Sequence, residues 1–194
     1  MSPYALGPML YALCQDLELG QQKMKKKYWV LLFLLIWIVS VDQWTKHSVQ
    51  EGLPLRHSVP VMKGFFNLTH VRNPGGAFGI FASQKGGVGS ILFVVVSLNA
   101  IGILLYLFFR AKEDEEILSL AFSLVLSGAI GNLIDRFRYG EVIDFLDFYL
   151  FSFHWPAFNI ADSAISVGIV LILIEILTRD LRKTTKSRRP REKL

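Results

Sequence analysis

The chain has 194 residues, is 52% hydrophobic and carries a formal net charge of +5, with a positive mean hydropathy unusual for a water-soluble domain of this size. A single cysteine, Cys14, excludes an intrachain disulfide and a cysteine-based metal site. The basic residues flank apolar runs, so the charge speaks for membrane topology and against nucleic acid.

Residues 1–23 show no clear apolar period and read as a mobile cytoplasmic arm, or as an upstream start ahead of Met24. Cys14, in "LYALC", lacks the small preceding residue of a lipid-modification site. After Lys25, Lys26 and Lys27 comes the first predicted helix, "YWVLLFLLIWIVSVDQWTK". Its charge-free core, Tyr28–Val41, has 14 residues where a span needs about 20, so the helix must continue past Asp42 toward Lys46. No A-x-A-like cleavage site follows, and the run reads as a retained anchor rather than a signal peptide.

The segment from Asp42 to Gly89 is β-branched, aromatic and broken by Pro and Gly. It predicts two or three short strands joined by an Asn73-Pro74-Gly75-Gly76 turn. As a sheet it would either hold an extended peptide by edge pairing or serve as scaffold. The second span lies within Gly89–Phe109 and the third is Ile117–Ile134, ending at Asp135 and Arg136. "RFRYGEVIDFLDFYLFSFHWP" connects it to the fourth, within Ala157–Leu177, whose apolar core is fenced by Asp162 and Glu175.

Lysine and arginine counts set the orientation. With the N-terminus inside, 14 of the 21 Lys and Arg residues fall on the cytoplasmic side, so both termini are expected there. Trp44 and Trp155 then read as outer belt anchors and Trp29 as an inner one. Asp42, Asn132, Asp135, Asp144, Asp147, Asn159 and Asp162 all collect at the outer level. Each has a bland reading: Asn159 and Asp162 as a helix cap, Asp42 and Lys46 as an interfacial i, i+4 ion pair, and "SGAIGN" as helix packing. Their coincidence at one depth is what demands an explanation, since an acid in a span costs about 2.5–3.5 kcal/mol on insertion scales.

Without a histidine cluster or a cysteine pair a zinc site is not expected, and His154 reads as a surface residue. Two carboxylates sharing a proton can activate water and protonate a leaving amine, which is peptide hydrolysis of the aspartic type. From the residues alone, proton-coupled transport uses intramembrane acids equally well.

Five motifs in order carry a resemblance: "DQWTK" at Asp42–Lys46, "NPGGAF" at Asn73–Phe78, "GNLIDR" at Gly131–Arg136, "VIDF" at Val142–Phe145 and "FNIADSAI" at Phe158–Ile165. From about Met24 to Arg182 the chain resembles lipoprotein signal peptidase (signal peptidase II), a family of bacterial membrane aspartic proteases. The resemblance implies an all-α membrane protein with four transmembrane helices and a small extracytoplasmic antiparallel β-sheet. The peptidase domain would cover 24–182, its β-rich outer segment about 47–88, and 183–194 would be a basic cytoplasmic tail. It implies cleavage before the diacylglyceryl-modified cysteine of prolipoproteins, at the outer face of the bacterial inner membrane. No metal or other cofactor is implied. Cyclic peptide antibiotics of the globomycin type are the inhibitors it implies, with membrane lipid as a further partner. Carried over by motif, Asp144 and Asp162 are the catalytic pair, the V-x-D position selecting Asp144 over Asp147. Asp42, Lys46, Asn73, Gly75, Ala77, Phe78, Asn132, Asp135, Arg136, Asn159 and Ala161 are binding or supporting residues.

Overall fold

The computed structural model describes residues 25–75 and 88–188. The arm at 1–23, Gly76, Ala77 and Phe78 of the glycine-rich motif, and the last residues of the basic tail lie outside the described residues.

Four helices among the described residues are long and apolar enough to cross a membrane: α1 (Lys26–Gly52), α2 (Val88–Arg110), α3 (Glu116–Tyr139) and α4 (Ile160–Arg188). The short apolar core of α1 is accommodated by length. At ~1.5 Å per residue its 27 residues reach about 40 Å, beyond a hydrocarbon layer of about 30 Å. Its last turns, Asp42 to Gly52, therefore extend past the apolar run.

Helix α3 is the hub, packing on α1, α2 and α4. The outer flanks of the other three expose Phe33, Ile36, Trp37, Ile91, Val96, Ile103, Val170 and Leu173. Water would penalise such a surface, whereas acyl chains solvate it. The α3–α4 contact is close because it uses glycine. A Cβ at Gly128 would collide with the Ala161 carbonyl, and one at Gly168 would lie 2.8 Å from the Ala121 carbonyl oxygen. The packing reading of "SGAIGN" is therefore correct as far as it goes. At the opposite end from the sheet, Phe108, Ala111, Phe122 and Leu126 form a small core. There Lys27 donates to the Ala111 carbonyl at 2.6 Å, tying the start of α1 to the end of α2.

Helix α3 stops at Gly140, which takes the left-handed conformation (φ 74°) of a C-terminal cap and donates to the Arg136 carbonyl. The chain then turns directly into β3 (Val142–Leu150) and β4 (Phe153–His154). With β1 (Ser58–Met62) and β2 (Phe66–Asn73) these make an antiparallel sheet in the order β1-β2-β3-β4. Half the sheet thus comes from the α3–α4 connection, which the sequence reading treated only as a link. β1 and β2 are joined at residues 63–65 rather than by the Asn73-Pro74-Gly75-Gly76 stretch, which instead follows the end of β2. The β2–β3 register pairs Asn73 with Val142 and Val71 with Asp144, with an irregularity between Leu68 and Val71.

Candidate active site

The sheet meets the helices where Phe158, just before α4, pairs with β3. Phe145 and Leu146 donate to the Phe158 carbonyl, and Phe158 donates back to Leu146. This short ladder sets the next residue, Asn159, against the strand. Its fully buried side-chain amide donates to Asp144 Oδ1 (2.8 Å), Asn132 Oδ1 (3.1 Å) and the Ile143 carbonyl (3.2 Å). Three acceptors compete for two protons, so at least one bond is shared. Asn159 also caps α4. Its Oδ1 accepts from the Asp162 N–H at 2.9 Å, and its own N–H donates to Asp162 Oδ2 at 3.3 Å. The capping box is real, yet capping accounts only for the oxygen of Asn159; the amide nitrogen faces Asp144.

Asp162 therefore has one oxygen inside the cap. The other, Oδ1, accepts from Asn132 Nδ2 at 2.7 Å. Asn132 cannot be turned the other way, because its own oxygen receives Asn159 and the Lys46 ammonium (3.0 Å). The first turn of α4 adds the positive end of the helix dipole. Asp144 sits differently. It is 2% exposed and accepts from Asn73 Nδ2 at 3.1 Å as well as from Asn159. Burial first, and the neighbouring charge of Asp162 second, push its carboxyl from the ordinary 3.8 to about 7, against the opposing pull of Asn73, Asn159 and Lys46.

Asp42 and Lys46 are not an exposed interfacial pair. Lys46 is 1% exposed and spends its three donors on Asp42 Oδ2 (2.8 Å), Asp135 Oδ2 (2.8 Å) and Asn132 Oδ1 (3.0 Å). Asp42 Oδ1 accepts the Ala161 N–H at 2.9 Å. Asp135 accepts the Ile143 N–H (3.2 Å) and Gln43 Nε2 (2.8 Å). One ammonium thus joins α1, α3, the start of α4 and the start of β3. Gly131 allows this, since a Cβ there would lie 2.9 Å from Asp42 Oδ2. Arg136 lies 5.8 Å from the Phe93 ring centroid. Its Nε is buried without a hydrogen-bond partner among the described residues.

Asn73 is oriented by its own turn: its Oδ1 accepts the Gly75 N–H at 3.0 Å, which leaves the amide nitrogen for Asp144. Gly75 itself is buried at φ 119°, with Phe93 occupying the space a side chain would need. Asp147 is three residues from Asp144 and so points from the opposite face of the strand. There it pairs with Asn67 and with the half-exposed His154 (both 2.9 Å). The structure brings together Asp42, Lys46, Asn73, Asn132, Asp135, Asp144, Asn159, Ala161 and Asp162. Ala77 and Phe78 lie outside the described residues. Sequence reasoning missed Gln43 and the Phe158 ladder. Gln43 stands inside "DQWTK", but a neutral side chain beside two charged ones drew no notice, and a backbone ladder leaves no side-chain signal.

Among the described residues no group of three or more His, Cys, Asp or Glu side chains is placed to hold a metal ion. Two carboxylates linked through one asparagine, one of them holding its proton near neutrality, form an acid–base pair able to take a proton from water and supply one to a leaving group.

A family model described as signal peptidase (SPase) II matches residues 34–178. The lipoprotein signal peptidase of Desulforapulum autotrophicum is 49% identical over 140 residues, covering 72% of this chain and 86% of that protein. That of Syntrophus aciditrophicus is 41% identical over 161 residues, covering 83% of this chain and all of its own length. A solved bacterial membrane enzyme superposes with a TM-score of 0.70 at 32% identity, covering 84% of this chain and 94% of its own.

Proposed function

The chain belongs to the signal peptidase II family, and from that premise we propose that it is an aspartic endopeptidase that cleaves prolipoproteins immediately before the diacylglyceryl-modified cysteine of the lipobox. The observation that carries the aspartic reading is the hydrogen bonding of Asn159, whose side-chain amide donates to the Asp144 carboxylate and whose backbone N–H donates to the Asp162 carboxylate. In the proposed mechanism Asp162 enters as the carboxylate and Asp144 as the acid. Asp162 takes a proton from water, whose oxygen attacks the scissile carbonyl. Asp144 gives its proton to the carbonyl oxygen. As the tetrahedral intermediate collapses, one of its two hydroxyls returns a proton to Asp144, the C–N bond breaks, and the proton gained by Asp162 passes to the leaving cysteine amine.

The position of both acids near the end of the spans supports a reaction at the membrane surface, where a diacylglyceryl group can stay in lipid while its peptide bond reaches water. The positive-inside count favours the outer face of a bacterial inner membrane, with both termini cytoplasmic. Asn73, beside Asp144 on the sheet, is proposed to hold substrate backbone, and globomycin-type cyclic peptides to occupy the same groove.

The test is cleavage of a diacylglyceryl-modified lipobox peptide by purified protein in detergent. One new N-terminal cysteine should appear. Asp144→Asn and Asp162→Asn should each lose nearly all turnover, and the double variant should be little worse. Asp147→Asn should stay active. A folded, active Asp144→Asn beside a dead Asp147→Asn would overturn the assignment.

A further inference from the structure

The strand that carries Asp144 runs on beyond the site to an end whose side chains are exposed. Alternate residues of a strand share a face, so Asp144, Leu146, Phe148 and Leu150 look the same way. Asp144 meets Asn159 at the end of α4. Leu146 pairs with Phe158, and the Phe148 ring stacks on that of Phe158 at 5.8 Å. Leu150 comes next and is 60% exposed, as are its cross-strand partner Phe153 (66%) and Trp155 (60%). The face that begins on the helix ends therefore finishes in a cluster of exposed apolar side chains at the hairpin tip.

The tip adds a second, independent sign. The β3–β4 loop has two residues, and the first, Phe151, takes φ 55°. Glycine or asparagine is usual there, because a bulky side chain is strained in the left-handed region. The chain nevertheless places a phenylalanine at this point and leaves it 90% exposed. The other face of the hairpin is polar: Tyr149 stacks on His154 at 4.9 Å, and His154 pairs with Asp147.

We propose that the β3–β4 hairpin is a monotopic membrane anchor, with Leu150, Phe151, Phe153 and Trp155 dipping into the lipid interface beside the bundle and the Asp147–His154 face turned to water. Lipid is the occupant because this apolar face is continuous with the lipid-facing bundle, whose exposed Trp44 and Phe137 lie at the same end. Trp155 has the indole chemistry that prefers this depth. The anchor holds the strand bearing Asp144 at a fixed height over the bilayer. It rests on the membrane-spanning reading and is independent of the peptidase mechanism.

The experiment uses full-length protein in lipid nanodiscs with Cys14→Ser, which removes the only native thiol. An environment-sensitive fluorophore is attached at Phe151→Cys, with Ser152→Cys as a second tip position. Lys112→Cys, in the α2–α3 turn, serves as the aqueous control. Lipids with brominated acyl chains should quench the tip labels and not the control, and aqueous iodide should do the reverse. Tip labels at both positions that iodide quenches as fully as the control, with no response to brominated lipid, would overturn the anchor and leave a water-facing patch suited to a protein partner.

Discussion

Replacing Asp144 with asparagine is expected to remove much of the protein's pH dependence of stability in the weakly acidic range. Burial and the charge of Asp162 raise the Asp144 carboxyl from 3.8 to about 7, so the folded chain holds this proton more tightly than the unfolded chain. The group's contribution is fully present below about pH 4 and is lost as pH rises through 7. About three units at ~1.36 kcal/mol each come to roughly 4 kcal/mol, and at 2% exposure solvent screening removes little of it. Asparagine matches the uncharged acid but not its two acceptors. With Asn73 and Asn159 both donating, the amide leaves one donor unmet, at about 1–3 kcal/mol whatever the pH. The offset and the slope are thus separable. Thermal melts of wild type and variant in detergent from pH 4 to pH 8 should show the variant less stable at pH 4. It should then gain on wild type by about 10 °C at pH 8, taking ~2–4 °C per kcal/mol for a chain of this size. Parallel melting profiles across that range would refute the account of Asp144 as the residue that holds a proton near neutrality.

Asn73→Ala removes a hydrogen bond that favours the ionised form of Asp144. It should lower turnover of a lipobox peptide and move the alkaline limb of its pH–rate profile upward; normal cleavage at low substrate would make the turn mere scaffold. Lys46→Met leaves Asp42 and Asp135 without their cation and should cost about 3–5 kcal/mol, read as a large drop in melting temperature; an unchanged melt would show that the buried trio does not hold the helices together. EDTA should leave peptide cleavage intact, since in the proposed mechanism a shared proton does the work of a cation, and loss of activity restored by a divalent ion would favour a metal-assisted hydrolase.

The four spans were legible because a long apolar run has few alternatives, and the polar residues at one depth were legible because lipid makes each of them costly. The sheet was half legible. β1 and β2 announce themselves through Val, Thr and Phe between Pro and Gly. β3 is equally rich in such residues, but its acids at Asp144 and Asp147 drew attention to chemistry rather than to alternation. Once the strand is recognised, its period of two separates those acids without any appeal to family. The roles of Lys46 and Asn159 were beyond sequence reasoning. An i, i+4 ion pair and an N-cap look the same whether exposed or buried. Only the approach of α3, and the backbone pairing of Phe158 with β3, turn them into shared ligands of several elements.

The shared ammonium of Lys46 also bears on how the protein is made. Synthesis runs from the N-terminus, so α1 meets the bilayer with only Asp42 to neutralise Lys46, and both wait near the surface for α3 to deliver Asp135 and Asn132. The Ala161 N–H that completes the coordination of Asp42 arrives last, with α4. Asp144 and Asp162 themselves lie in the final third of the chain, after every residue of α1 and α3 that positions them. A nascent chain therefore carries the α1 and α3 frame of the site before either of the proposed catalytic acids. A chain released before Asn159 would hold Asp144 without the amide that donates to it and without the Asp162 carboxylate that the proposed mechanism pairs with it.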